Sequence, residues 1–136
     1  MNWLMITFVY LLIYFLATVS SCGDDFNESD DLARLAALKT EVLLLVGEAE
    51  CSDIGECRSF PLGAKPCGGP WEYLIYSITD SDTLKIKEKA EEYNEWNRVL
   101  NSRYGYESDC GMTEEPQLLC LSGKCVDRNK VGGGPL

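Results

Sequence analysis

The first segment with a regular apolar pattern, residues 30–46, predicts an α-helix. Its apolar residues recur at helical spacing and share one face, which consists of Leu35, Leu38, Val42 and Leu45. Ser29 is placed to cap the N-terminus, and the acidic residues that follow it suit the positive end of a helix. Gly47 comes directly after the last apolar turn, where glycine commonly ends a helix.

Residues 81–104 carry the clearest helical pattern of the chain. Their apolar stripe is interrupted only by Asn97 and consists of Ile86, Ala90, Tyr93, Leu100 and Tyr104. Oppositely charged residues three positions apart occupy the other face, as on a solvated helix surface. Ser81 or Asp82 can cap the helix, and Gly105 is placed to end it.

Three shorter segments favour β-structure. Residues 58–62 predict a strand whose internal proline indicates a sheet edge. Residues 71–78 are aromatic and β-branched, which favours a second strand. Residues 117–128 predict a β-hairpin with its turn at Ser122-Gly123. Together with the helices, these segments predict an α+β fold in which two helices pack on a small antiparallel β-sheet.

Ahead of these elements, an apolar run from Trp3 to Val19 contains no charged residue, which is typical of a secretion signal. The run ends in Val19-Ser20-Ser21-Cys22, a string that resembles the lipobox of bacterial lipoproteins. In that family the signal peptide, here residues 1–21, is removed, and Cys22 becomes the first residue and carries the acyl chains, palmitate among them. The resemblance implies a membrane partner through the lipid anchor. It places the protein in the cell envelope, on the periplasmic or the surface-exposed side of the outer membrane.

Two other interpretations of the N-terminus stay open. The run has no basic side chain at its start and is long and aromatic, which also fits an uncleaved membrane anchor. A eukaryotic secretory signal would instead make Asn27-Glu28-Ser29 a glycosylation acceptor.

The rest of the chain divides into three parts. Residues 22–31 are acidic and polar and predict a flexible tether, which an ordinary solvated linker and the surface-export signal of some Gram-negative lipoproteins explain equally well. Residues 32–130 have the length of a single domain. Residues 131–136 are glycine-rich, and we expect a disordered tail there.

Charge limits the partners. The chain carries 22 acidic and 12 basic residues, for a net charge of −10. Such a protein repels the phosphate backbone of nucleic acids, and no basic stripe offsets that repulsion. A basic protein or a cationic ligand would be attracted to it instead.

With one of the seven cysteines assigned to lipid, an even number remains, which predicts a disulfide framework in an exported chain. The six are Cys51, Cys57, Cys67, Cys110, Cys120 and Cys125. The first two and the last two have similar spacings, and we expect their segments to pair antiparallel. Among the connectivities that six cysteines allow, this arrangement predicts the pairs Cys51–Cys125, Cys57–Cys120 and Cys67–Cys110.

Much catalytic chemistry is missing. The chain contains no histidine, which excludes histidine-dependent triads, dyads and metalloprotease helices. Paired cysteines leave no thiolate nucleophile, their spacings do not match zinc sites, and no Cys-x-x-Cys motif is present. We therefore expect no catalytic residue, no metal and no cofactor. Hydrolysis of glycans by a pair of carboxylates is the less favoured alternative.

Glycines, prolines and a cysteine are concentrated in residues 63–73, whose sequence is GAKPCGGPWEY. Glycine permits unusual backbone angles, which prolines and a disulfide then fix. The segment is either a structural corner that buries its aromatic rings or a rigid exposed loop that binds a partner. In the second interpretation Lys65, Trp71 and Tyr73 are the candidate partner-binding residues, since aromatic side chains often anchor interfaces.

Four features together resemble a group of small bacterial lipoproteins of uncharacterised function. They are ECR at 56–58, GAKPCGGPWEYLIYS at 63–77, the helix at 93–103 and CLSGKC at 120–125. The resemblance covers residues 35–128, its CGGPWxY string is the most specific part, and it implies no catalytic residue. We therefore expect a non-enzymatic envelope lipoprotein that binds a protein or ligand. The alternative is an inhibitor of a hydrolase, such as a protease or a lysozyme-like enzyme.

Overall fold

The computed structural model describes residues 27–131. Its elements are the helix α1 (Glu28–Val46), the strands β1 (Cys57–Leu62) and β2 (Glu72–Ser77), the helix α2 (Thr83–Tyr104), the strands β3 (Leu118–Leu121) and β4 (Lys124–Asp127), and the one-turn helix α3 (Arg128–Val131). The predicted signal peptide, Cys22 and the glycines of the predicted tail lie outside the described residues.

Helix α1 begins at Glu28, two residues before the predicted start. Asn27 caps it, because the Asn27 Oδ1 atom accepts a hydrogen bond from the Ser29 backbone N–H at 3.1 Å, so the prediction of Ser29 as the cap is wrong. Acidic side chains fill the first turn, where the helix dipole favours negative charge. The predicted tether, residues 22–31, overlaps the predicted helix at residues 30–31, and the structure places all of residues 28–31 in the folded domain.

Helix α2 packs antiparallel against α1. Asp82 caps α2 by accepting a hydrogen bond from the Lys85 N–H at 3.2 Å, and Gly105 ends it in the left-handed conformation. The buried stripes that form the centre of the core are Leu38, Val42 and Val46 on α1 and Ile86, Ala90, Tyr93 and Leu100 on α2. No helix within residues 27–131 is long and apolar enough to cross a membrane.

Strands β1 and β2 form an antiparallel hairpin between the helices and a second hairpin. Because side chains alternate along a strand, Leu62, Leu74 and Tyr76 share the face that is buried against the helices. Tyr73 and Ile75 belong to the opposite face and are half-buried. That face is where the next hairpin packs.

The second hairpin consists of β3 and β4 and turns at Ser122-Gly123, as predicted. Both turn residues have positive φ, 52° and 79°, which is the geometry that two-residue hairpin turns favour. The prediction of an α+β fold with two helices, antiparallel strands and three disulfides is confirmed, but the single small sheet that we expected is divided in two. The strands form two separate two-stranded ladders.

The disulfides correct two of the predicted pairs. Cys67 is bonded to Cys110, as predicted, but the other two bonds are Cys51–Cys120 and Cys57–Cys125. Disulfides are typical of proteins that fold in an oxidising compartment.

The prediction failed because the chain between Cys51 and Cys57 is not a continuous strand. It pairs with the second hairpin only around Glu50, which bridges to Lys124, and then folds back through a 3₁₀ turn at Ile54–Glu56. The sulfur atoms of Cys51, Cys57 and Cys125 lie within 4.8 Å of one another. Because these sulfurs are in disulfides, they lack the thiolate charge that a zinc ligand needs.

Candidate binding surface

The loop that joins β1 to β2, residues 63–71, is named here the Trp71 loop. It is closed by hydrogen bonds within its own backbone: Lys65 N–H donates to Gly69 O at 2.8 Å, and Gly68 N–H donates to Lys65 O at 2.9 Å. At its base, Trp71 N–H donates to Leu62 O at 3.1 Å. The loop therefore has a defined conformation even though it joins two strands on the outside of the core.

Three asparagine side chains of α2 fix the start of this loop. Asn94 Oδ1 accepts from the Gly63 N–H at 2.6 Å, and Asn97 Oδ1 accepts from the Ala64 N–H at 2.7 Å. Asn101 Nδ2 donates to Ala64 O at 2.7 Å. The polar residue that interrupts the apolar stripe of α2 is thus a buried hydrogen-bond partner of the loop.

Trp71 lies against the first residue of the loop. Gly63 has φ of +81°, and a Cβ atom added there would lie 2.7 Å from Trp71 Cδ1. Only glycine permits both the backbone angle and this close approach. The indole is nevertheless 43% exposed, so one face packs on the loop while the remainder is open to solvent.

Lys65 folds back over the loop. Its Nζ atom lies 5.3 Å from the centroid of the Trp71 ring, within the range of a cation–π contact, and donates a hydrogen bond to Gly111 O at 2.5 Å. The lysine therefore covers part of the indole and joins the loop to the segment that follows α2.

A disulfide and a hydroxyl group hold the same segment from the other side. The exposed bond between Cys67 and Cys110 crosses from the loop to this segment. Thr113 Oγ1 donates to Pro70 O at 2.8 Å, next to Trp71. Loop and segment thus form one surface at the end of the domain where α2 terminates.

A groove of about 300 Å³ opens beside Trp71. One wall comes from the start of β2 and the other from the chain on either side of the second hairpin. The lining residues that matter for recognition are Trp71, Tyr73, Ile75, Thr113, Pro116 and Lys130. Of the three predicted binding residues, the structure places Trp71 and Tyr73 in the groove and Lys65 on the indole. We missed Thr113, Pro116 and Lys130, because no local pattern marks them.

The charge around the groove is mostly negative. Glu72, Glu114 and Asp127 line it together with Lys130. Glu72 accepts a hydrogen bond from Lys39 on α1, and this bond raises the pKa of the Lys39 ammonium group. Asp127 Oδ1 accepts from the backbone N–H of Gln117 and Asn129, both at 3.1 Å. Glu114 is exposed at the rim.

The start of α1 is held at the same end of the domain as the Trp71 loop. Asp31 accepts hydrogen bonds from Tyr104 at 2.7 Å and from Arg103 at 2.5 Å. These two donors, with Tyr104 the larger cause, lower the pKa of the Asp31 carboxyl group. Glu28 accepts from the Tyr106 hydroxyl, a bond that raises the pKa of Tyr106 to about 12. Any tether that precedes α1 therefore leaves the domain near this surface.

A second depression, of about 510 Å³, is polar and open and lies at the other end of α2. Two of its three acidic side chains have bonds within the fold: Asp80 accepts from the Glu50 N–H at 3.3 Å, and Glu56 accepts from the Ser52 N–H at 2.7 Å. These contacts assign Asp80 and Glu56 to the loop structure.

Comparisons with protein-family models, with curated protein sequences and with solved structures find no match to this chain. The lipobox and the resemblance to small bacterial lipoproteins therefore stay predictions. The surface around Trp71 has to be interpreted from its own geometry, which offers aromatic and apolar contacts in a fixed frame.

Proposed function

We propose that the protein is a non-enzymatic lipoprotein of the bacterial cell envelope that binds another protein through the surface around Trp71. The observation that carries the proposal is a partly exposed indole on a loop fixed by asparagine side chains and a disulfide. A loop already held in one conformation loses little entropy on binding, and tryptophan is enriched among the residues that anchor interfaces.

Charge supports a basic partner. The chain has a net charge of −10, and carboxylates outnumber ammonium groups around the groove. Opposite charge increases the rate of encounter and disfavours partners of the same sign. We therefore propose a protein with a basic contact surface.

The lipid anchor at Cys22 would determine where this binding takes place. The folded domain begins at Asn27, close behind Cys22 in the chain. Even a fully extended chain of this length reaches only about 20 Å. The domain would therefore stay close to the membrane, with the Trp71 loop at its tethered end.

The anchor is tested by the intact mass of the protein from its native membrane, measured before and after reduction and alkylation. We expect a chain that begins at Cys22 with acyl groups attached, and six thiols that appear only on reduction. A mass that includes residues 1–21 would contradict lipidation at Cys22.

The binding function is tested by site-specific photo-crosslinking in intact cells. A photo-reactive amino acid replaces Asn129, an exposed residue that lines the groove, in the otherwise unchanged chain and in the variants Trp71→Ala and Leu84→Ala. Leu84 is a matched control, because it is also apolar and exposed, at 80%, but lies at the opposite end of α2.

We expect one adduct with a basic protein in the unchanged chain and in Leu84→Ala, and about tenfold less of it in Trp71→Ala, which corresponds to a hot-spot residue. Equal adduct yields in all three proteins would contradict the proposal. If the adduct contains a hydrolase, an inhibition assay with the purified pair decides whether binding also inhibits it.

A further inference from the structure

We propose that the partner binds as an extended strand added to the free edge of β2, with alternate side chains entering the groove beside Trp71. This inference rests on the proposed binding function of that surface and specifies the form of the partner. The occupant is an extended protein segment that carries basic and apolar side chains. Strand addition uses main-chain hydrogen bonds for affinity and side-chain pockets for specificity.

The register of the first hairpin determines the direction of the backbone groups of β2. Ile78 N–H donates to Glu56 O at 2.9 Å, and these two residues continue the register in which Ser77 lies opposite Cys57. In an antiparallel ladder, pairs that exchange hydrogen bonds alternate with pairs that do not. Counting back two residues at a time, Leu74 and Tyr76 are bonded to β1.

The residues between them direct their N–H and C=O groups away from β1. These are Tyr73 and Ile75, which lie opposite Pro61 and Ser59 respectively. Pro61 has no N–H to offer, and proline is tolerated in a sheet at such outward-facing edge positions. The position of this proline agrees with the assignment from the register.

These outward groups of β2 have no hydrogen-bond partner in the part of the chain that the structure describes. Within residues 27–131, no hydrogen bond satisfies the backbone N–H or C=O of Tyr73 or Ile75. Both residues are half-buried, and both line the groove. A row of unpaired donors and acceptors along a strand is a template for another strand.

The two edges of this hairpin differ in how well they suit an added strand. The edge of β1 carries Pro61, which interrupts a row of donors. The Ser59 side chain on this strand is also engaged, since its Oγ donates to Glu115 at 3.4 Å. The edge of β2 has no proline, and the groove beside it gives room for side chains. An added strand is therefore favoured at β2.

The side chains around the groove indicate the charge of the occupant. Side chains entering the groove would meet Tyr73, Ile75 and Pro116, and those at the rim would meet Glu114, whereas the Glu72 carboxylate is paired with Lys39 of α1. Apolar side chains suit the first set and basic side chains suit Glu114. The excess of carboxylates disfavours an acidic segment and an anionic membrane surface.

The test uses defined peptides and the full-length protein. The probe is an octapeptide of alternating lysine and valine with blocked ends. Its matched controls are the same peptide with methylated internal backbone nitrogens and a peptide of alternating glutamate and valine. Binding is measured by NMR from the amide signals of Tyr73 and Ile75 and by titration calorimetry.

The matched protein variants are Ile75→Pro and Ser59→Pro. Residues 75 and 59 lie opposite each other in the hairpin, so the first variant removes an outward N–H from the edge of β2 and the second removes one from the edge of β1. Ile75→Ala controls for the lost side chain while keeping its N–H. We expect the lysine–valine peptide to bind the unchanged protein, Ser59→Pro and, less tightly, Ile75→Ala. We expect about tenfold or greater loss with Ile75→Pro, as for a lost hydrogen bond of about 1.4 kcal/mol.

Equal binding of the methylated peptide to the unchanged protein would overturn strand addition, even if Ile75→Pro does not fold. Equal affinity of the two proline variants for the lysine–valine peptide would also overturn strand addition. Trp71-dependent binding to lipid vesicles, in place of peptide binding, would overturn it as well. A cellular adduct that depends on Trp71 but not on the N–H of residue 75 would overturn strand addition and leave the proposed function standing. An adduct that does not depend on Trp71 would contradict the proposed function itself.

Discussion

The disulfides of this domain lie in two regions, one in the core and one at the surface, and they join different kinds of segment. Cys57 and Cys125 are 2% and 7% exposed and join the two hairpins inside the core, beside the bond between Cys51 and Cys120. Cys67 and Cys110 are exposed and join the Trp71 loop to the segment after α2. The first region lies within the core, whereas the second joins two exposed segments beside the groove.

The largest expected effect is a difference in the rate of reduction. With dithiothreitol under native conditions, we expect Cys67–Cys110 to open directly and the two core disulfides to open only on global unfolding. Unfolding costs at least about 5 kcal/mol, so the core disulfides should react on the order of a thousandfold more slowly. Mass spectrometry of alkylated samples over time measures both rates, and similar rates would contradict the distinction.

The next effect concerns the contact between Gly63 and Trp71. Gly63→Ala adds a Cβ atom at positive φ and against the indole, and we expect it to lower the free energy of unfolding by about 3 kcal/mol. Gly68→Ala is the control, because its φ is +97° but nothing lies within 4 Å of the added atom. For Gly68→Ala we expect the free energy of unfolding to fall by only about 1 kcal/mol, from the backbone angle alone. Urea unfolding measures the free energy of unfolding of both variants. Equal losses in the two would mean that the indole is free to move away from the added Cβ atom.

Asn97 tests the attachment of the loop to α2. Asn97→Ala removes the acceptor of the Ala64 N–H and leaves this donor in a buried place, which should cost about 2 kcal/mol. Glu88→Ala, at an exposed position of the same helix, should cost less than about 0.5 kcal/mol. Chemical denaturation gives both values. Faster amide exchange at Ala64 in the first variant alone would locate the change in the loop.

The smallest effect is the pH dependence at the start of α1. The pKa of Asp31 is lowered in the folded protein, so its contribution to stability is present above the unfolded-state pKa and is lost as pH falls through the folded-state pKa. We expect Asp31→Asn to be less stable than the unchanged protein at neutral pH. The difference should shrink as pH falls below about 4.

Asp30→Asn is the control for this prediction, because the Asp30 carboxylate accepts a hydrogen bond from Asn27 instead of Arg103 or Tyr104. Thermal unfolding between neutral pH and pH of about 3 measures the three proteins. A difference between Asp31→Asn and the unchanged protein that is constant with pH would show that the ionised carboxylate is not the cause.

The sequence predicts the elements whose causes are local. Both main helices and the turn at Ser122-Gly123 follow from apolar spacing, end signals and backbone preference within a few residues. The start of α1 was missed because Asn27 and Ser29 are both acceptable caps, and only the geometry decides between them. In the sequence, Asn97 interrupts the apolar stripe of α2 with no apparent reason, because its hydrogen-bond partner, the Ala64 N–H, lies far away in the chain.

Features that depend on distant segments were predicted only in part. The pairing of Cys51 and Cys57 was wrong because spacing alone does not reveal the 3₁₀ turn between them. Trp71 and Tyr73 were identified from an unusual local string and do line a groove. Its second wall, which includes Pro116, comes from a segment that the disulfides and hydrogen bonds bring to the loop.

Removing the exposed disulfide alone, and measuring both the fold and the binding, tests most directly whether the two disulfide-linked regions have different roles. In Cys67→Ser/Cys110→Ser, with the photo-reactive residue at position 129, we predict cooperative unfolding with both core disulfides intact. The yield of the adduct should fall at least about fivefold, because without this disulfide the loop must be ordered on binding. An adduct yield equal to that of the unchanged protein would contradict the claim that this disulfide serves a binding surface.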